Sequence, residues 1–404
     1  MNKPPGHKSE GKNTGSAWIR EIDYLRGFAI ISVFLLHAVS QFGPIINTSL
    51  NFSNVPFFYF LFSPFLEFGV ALFFFISGFV LSRKYYGSFS IRHFYLRRAK
   101  SIIIPYVIFS LLYITFPFFT QSSFNLNRAV FSLLTASGNI ILWFIFVIMM
   151  FYLSYPLIIR LYAYFEDRKK TGALLLLVFL VSSFSSTFAL KYNFDLFQSF
   201  RSENLLSVYF SYLLLFTSSS FFFVAGIYSG RNLKYLRERM HPIAQHRKII
   251  FLLPVAFGCI ISIFLSWESL TLGEMAFYIG DYSGMSAMPI FHIFVFAALD
   301  LVSFLLILAA LFVISIYMTE KKNPLSVGIG SLGKYSFGIY LIHVLFLELL
   351  YKAFLSIGIA SSLWLSLPLL IFAGLALSYT SIYLIGRLPY SELVIGRTQK
   401  TARS

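Results

Sequence analysis

The sequence predicts an all-α polytopic membrane protein, a helical bundle of about ten transmembrane helices with both termini cytoplasmic. Three observations carry that prediction. Of 404 residues, 58% are hydrophobic and only 12% charged, about half the charged share of a soluble domain; this excludes a soluble enzyme, a disordered chain and a nucleic-acid-binding domain. Ten apolar stretches reach the roughly 20 residues that a helix needs to cross a bilayer core of about 30 Å. They are continuous rather than alternating runs, which argues against membrane strands. Finally, the basic residues sort by side of the membrane.

The spans fall near 27–46, 56–82, 101–120, 140–164, 172–190, 205–230, 249–266, 290–318, 335–355 and 361–386. Residues 1–20 are polar and read as a disordered cytoplasmic tail, not a cleavable signal. Residues 21–390 read as one transmembrane domain and 391–404 as a cytoplasmic C-terminal tail. With the N-terminus inside, the segments 1–26, 83–100, 160–170, 231–248, 320–334 and 387–404 hold 28 of the 32 Lys and Arg residues. The outer segments hold only Arg128, Lys191, Arg201 and Lys352. This is a strong positive-inside pattern. It turns the net charge of +16 into a topology signal, with anionic lipid of the inner leaflet as its partner and no nucleic acid. The outward loop 267–290 carries Glu268, Glu274 and Asp281 and no basic residue. One cysteine, Cys259, excludes an internal disulfide framework, a cysteine metal cage and a CxxC redox centre.

Within the spans, titratable groups are few and therefore informative. Span 1 carries His37, with Arg26 at its cytoplasmic mouth; span 2 carries Glu67, span 8 Asp300, and span 9 His343 and Glu348. Arg26 and His37 are eleven residues apart, three helical turns, so both project from nearly one face about 16 Å apart. That spacing puts His37 near the bilayer midplane. A guanidinium at the rim holds a phosphate or carboxylate bidentately, and an imidazole deeper in serves as general base near neutral pH. The pair suits a long ligand entering from the cytoplasm; the plain alternative is a positive-inside anchor and a helix-packing histidine. Asp23, three residues before Arg26, pairs with it on the same face. No ligand spacing such as HExxH points to a metal. The loop RKYYGSFSIRHFYLRRAK, 83–100, reads as an amphipathic segment on the membrane surface, or as a holder of a phosphorylated donor through Arg92, Arg97 and Arg98. Gly226 and Gly230 in span 6 form a GxxxG helix contact. Ser77 and Gly78 in FFFISGF either bend span 2 or serve as small interface residues.

Five stretches, taken in order, resemble the membrane acyltransferase-3 family: IDYLRGFAIISVFLLH (Ile22 to His37), GVALFFFISGFVLS (Gly69 to Ser82), RRAKSIIIPY (Arg97 to Tyr106), LWFIFVIMMFYLSYPLI (Leu142 to Ile158) and LGKYSFGIYLIH (Leu332 to His343). The first resembles the family's helix in which ten residues separate an Arg from a His, a pair regarded as essential; Arg26 and His37 fit that spacing. The closing GRLPYSELVIG resembles a subset of members only.

The resemblance implies an acyltransferase of the plasma membrane, expected in a prokaryotic cell. It would move an acyl group, usually acetyl, from cytoplasmic acyl-CoA to a hydroxyl of a surface glycan or lipid-linked sugar. A thioester is already activated, so no permanently bound cofactor is expected; acyl-CoA is the donor substrate. His37 is the expected general base, with Arg26, His343 and Glu67 as further candidate catalytic groups. Arg26, Arg92, Arg97 and Arg98 are the candidate donor-binding residues, and Asp23, Ser77 and Asp300 the candidate orienting ones. The rival class is a polytopic carrier or exporter of a polysaccharide precursor or small molecule, to which mid-membrane His and carboxylates are equally suited.

Overall fold

The computed structural model describes residues 19–41, 55–116, 125–192, 194, 196–246, 288–320 and 323–396, with only the backbone described over 55–67 and 243–246 and at 197, 361 and 363. The helices are α1 (Arg20–Ser40), α2 (Val55–Lys84), α3 (Ile91–Thr115), α4 (Leu126–Thr135), α5 (Leu142–Asp167), α6 (Thr171–Lys191) and α7 (Leu196–Arg201). They continue as α8 (Leu205–Arg231), α9 (Leu233–His246), α10 (Ile290–Glu320), α11 (Pro324–Ser356), α12 (Leu363–Ile385) and α13 (Ser391–Val394). The described residues contain no strand. Eight of these helices (α1, α3, α5, α6, α8, α10, α11 and α12) are long and apolar enough to cross a membrane. The 30-residue α2 coincides with the predicted second span. The protein is therefore an all-α polytopic membrane protein. The predicted seventh span, 249–266, lies outside the described residues, as do 1–18 and 397–404.

Three boundaries differ from the hydropathy reading, each for a physical reason. Helix α1 begins at Arg20 rather than at 27. Its polar first turns are buried because their charges are matched: Glu21 meets Arg237 of α9 at 2.7 Å and Asp23 faces Arg26 at 4.0 Å. Hydropathy reads a charge as an edge, but a paired charge continues a helix into the protein. Consequently His37 stands in the last turn of α1, near its far end rather than half-way along it.

Helix α11 begins at Pro324 rather than at 335. Asn323 and Ser326 form a reciprocal capping box, and Pro324 needs no amide hydrogen at the first position. The glycines that resemble a loop are contact points instead. A Cβ at Gly333 would run into the Asp23 carbonyl, and one at Gly27 into the Ile329 carbonyl. Contacts rise together along both helices, from Gly27 beside Ile329 to His37 beside His343, so α1 and α11 run parallel.

The third difference concerns the basic loop. Ser90 caps α3, its hydroxyl accepting from the His93 amide. The helix then runs from Ile91 through a π-turn, Ala99–Ile103, into Ile104–Thr115. The π-turn sits just ahead of Pro105, whose missing N–H breaks the regular ladder. The segment expected on the membrane surface is thus the first part of the third long helix.

The largest helix contact joins α2 and α8. Gly226 and Gly230 seat on the Phe75 and Phe79 carbonyls, and Gly78 seats on the Phe223 carbonyl. Lipid provides no hydrophobic drive between helices, so close backbone approach through small residues supplies the van der Waals contact instead. α2 runs unbroken through Ser77 and Gly78. At the basic end, the Tyr86 hydroxyl donates to Glu166, while Arg231 of α8 pairs with the same carboxylate at 3.3 Å and covers the Tyr86 ring at 3.5 Å. Burial first, and then Glu166 as acceptor, push the Tyr86 phenol up to about 12.

Candidate functional site

One cavity of about 220 Å³ opens among α1, α2, α3, α5, α11, α12 and the residues after α13. Its lining runs from Leu81 to Phe73 on α2, from Tyr152 to Phe144 on α5 and from Gly333 to Tyr340 on α11. At 1.5 Å per residue, each wall is about 10–12 Å deep. The wide end belongs to the basic side of the bundle, where Arg26, Arg98 and Lys334 contribute to the lining. The deep end is three rings in mutual contact: Phe73, Phe144 and Tyr340, with centroids 5.2 to 6.3 Å apart. Ser77 and Gly396 also face the cavity.

The two guanidinium groups are held differently. Arg26 is partly exposed, with Asp23 behind it at 4.0 Å. Arg98 lies against the rings of Tyr85, Phe94 and Tyr152, at 5.7, 5.9 and 5.4 Å. Stacking on aromatic faces fixes a planar cation while leaving its N–H edge available; its buried Nε has no hydrogen-bond partner. The positive field is felt at Tyr85. Burial pushes that phenol up, but Arg98, with Lys84 and Arg97, outweighs it and leaves the group below its ordinary value.

Beyond the deep end lie two imidazoles. His343 is fully buried on α11, and its ring is 5.2 Å from that of His37, centroid to centroid. Tyr340 joins the two compartments: its ring lines the cavity, lies 5.7 Å from the His343 ring, and its hydroxyl donates to the Ile141 carbonyl at 2.5 Å. Its own carbonyl lies 2.7 Å from His343 Nδ1. The histidines do not line the cavity themselves; a layer of aromatic rings stands between them and the arginines.

The structure thus brings Arg26, Arg98 and Ser77 to one cavity and His37 and His343 to one another. It does not bring Arg92 and Arg97 to the cavity; both are exposed on the outer side of α3. Asp300, half-buried on α10, makes no hydrogen bond or ion pair with either histidine. Glu348 pairs with Lys352 on its own helix at 2.7 Å. Glu67 falls where only the backbone of α2 is described, so its side chain lies outside the described residues. Sequence reasoning missed Tyr152, Tyr335 and Tyr340 as lining groups. It also missed the Glu21–Arg237 pair, which links residues 216 positions apart. Only Tyr340 had a local signal, three residues before a buried histidine and therefore on the same helix face.

Cations at the mouth of a cavity and imidazoles beyond its floor suit an integral membrane enzyme that transfers a group carried on an anionic handle. The family profile described as an acyltransferase domain matches residues 19–384, nearly the whole described bundle. The chain belongs to this membrane acyltransferase family. No curated protein and no solved structure matches it.

Proposed function

We propose that this membrane acyltransferase takes an acyl group, acetyl first among candidates, from acyl-CoA on the cytoplasmic side. It delivers the group to a hydroxyl of a surface glycan or lipid-linked sugar, in the plasma membrane of a prokaryotic cell. The observation that carries this reading is the alignment of Arg26 and Arg98 at the wide end with His37 and His343 past the deep end. The basic loops on that same side mark it as the inner face under the positive-inside rule.

The anionic end of the donor binds at Arg26 and Arg98, and its thioester runs down the cavity and passes between the Phe73, Phe144 and Tyr340 rings to reach His37. His37, about 16 Å from Arg26 along α1, takes the proton of the acceptor hydroxyl as the oxygen attacks the thioester carbonyl. The C–S bond then breaks, and the departing thiolate takes that proton from His37. Base catalysis of this kind contributes about 10²–10⁴ in rate. The aromatic layer keeps water from the thioester, which hydrolysis would otherwise consume. Asp23 orients Arg26. Ser77, on the cavity wall, is placed beside the pantetheine arm. Arg92 and Arg97 add long-range attraction for the anion rather than direct contact, and Glu67 and Asp300 are the further carboxylates assigned to orienting His37.

The test is transfer from radiolabelled acetyl-CoA in membrane vesicles. Wild type should label a glycan or lipid-linked sugar. Arg26→Ala should raise the donor concentration needed, and His37→Ala should lose at least 100-fold in rate, near the lower end of base catalysis, at equal folded amounts. Wild-type rates in His37→Ala would sink the base assignment. No label from acetyl-CoA but label from succinyl-CoA would correct the acyl group.

A further inference from the structure

The buried ring of His343 has two nitrogens in different situations. Nδ1 lies 2.7 Å from the Tyr340 carbonyl oxygen. A carbonyl only accepts, so a hydrogen bond at that distance places the proton on Nδ1. Nε2 is buried and has no hydrogen-bond partner. With Nδ1–H fixed, Nε2 is a bare lone pair in a residue with no exposure. A buried acceptor left unmatched is unfavourable, because its lone pair has lost water and gained nothing in return. The ring is held rigidly: the Phe34 and Tyr340 rings lie 6.0 and 5.7 Å away, and the Tyr340 hydroxyl is tied to Ile141. Turning His343 would give up its bond to the Tyr340 carbonyl, so a partner for Nε2 must come to it.

The His37 ring is 5.2 Å away, tilted by 53°. Imidazole nitrogens sit about 1.1 Å from their centroid, so a pair at this separation reaches hydrogen-bond distance when the two nitrogens point at each other. His37 is half-buried in the last turn of α1 and is less enclosed than His343, which has no exposure.

We infer that His343 is a positioning residue that selects the tautomer of His37. The lone pair of His343 Nε2 accepts the N–H of one His37 nitrogen, and this leaves the other His37 nitrogen bare and directed away from α11, toward the acceptor. During transfer the hydroxyl proton goes to that bare nitrogen and then to the departing thiolate, and His343 keeps its Nδ1 proton throughout. A second nitrogen base in this place, rather than a carboxylate, holds the tautomer without adding a buried negative charge. This inference rests on the acyltransfer reading for its catalytic consequence, but not for its geometry.

Both parts are testable separately. The full-length protein, labelled with ¹⁵N-histidine and placed in nanodiscs, carries seven histidines, and comparison with His343→Gln and His37→Ala assigns the two rings. The expected spectrum has a neutral His343 protonated on Nδ1, and a His37 signal that moves when His343 is replaced by alanine. A His343 protonated on Nε2, or a His37 signal indifferent to His343→Ala, overturns the inference without any turnover being needed. In the vesicle assay, His343→Ala should lower kcat by 10- to 100-fold while the KM for acetyl-CoA changes less than twofold. His343→Gln, whose amide oxygen can accept the same N–H, should recover most of that loss. A merely structural role would instead lower the amount of folded protein and leave kcat per folded molecule intact, which would also overturn it. Absence of transfer by wild type from any acyl-CoA would count against the acyltransfer reading alone.

Discussion

Neighbouring residues of one type have different fates here. Arg92, Arg97 and Arg98 are equal as sequence, yet only Arg98 turns inward, because three aromatic rings receive its guanidinium. Arg98→Lys keeps the charge but loses the planar stacking surface. The KM for acetyl-CoA should rise about tenfold, equivalent to about 1.4 kcal/mol, with kcat unchanged, while Arg97→Ala stays within twofold in the same steady-state assay. Outside the spans, Tyr86 offers a pH test. Its phenol is raised from 10.0 to about 12, so its contribution to stability is complete below pH 10 and disappears as pH rises through 12. Thermal unfolding of Tyr86→Phe should therefore show a lower midpoint at neutral pH and a shallower decline between pH 10 and 12. That Arg26 and His37 share one helix was legible from spacing alone. His343 was legible as a buried group but not as the neighbour of His37, because adjacency of the first and ninth spans leaves no mark in local sequence.

Long apolar helices were legible almost to the residue: α5, α6 and α8 each begin and end within three residues of the predicted spans. Their termini coincide with polar clusters that hydropathy detects. The two helices that build the site extend beyond prediction for opposite chemical reasons. α1 carries matched charges in its first turn, and α11 carries glycines that approach another backbone. Glycine reads as a loop former in a single sequence, whereas in lipid it is as often a contact former. Gly226→Leu, whose side chain has no space against the Phe75 carbonyl, should destabilise the α2–α8 pair by about 1–3 kcal/mol or more. That loss is readable as a lower midpoint in detergent-titrated unfolding. Gly172→Ala, where nothing stands within 4 Å, should leave the midpoint unchanged. A drop in both would mean that the helices are sensitive to any added methyl group and would refute the contact argument.

On the scale of the whole molecule, charge asymmetry assigns the sides before any contact is considered. With Cys259 replaced by serine, a cysteine at Lys234 should resist a membrane-impermeant maleimide on intact cells, whereas one at Arg128 should react. The reverse pattern would invert the bundle and put the arginine-lined mouth outside. The parallel seating of α11 on α1 has a further consequence, in the order of manufacture. The ribosome releases Arg26 and His37 some 300 residues before His343. Early in that interval α1 carries two carboxylates and two arginines, with Arg237, the partner of Glu21, 216 residues away in the order of synthesis and α11 later still. A nascent first helix with unmatched charge is a poor lodger in lipid. Until the ninth span arrives, α1 needs a polar host, whether the insertion machinery or a chaperone at its exit. Chains truncated before residue 324 should remain crosslinkable to that host, and chains ending after residue 356 should be released.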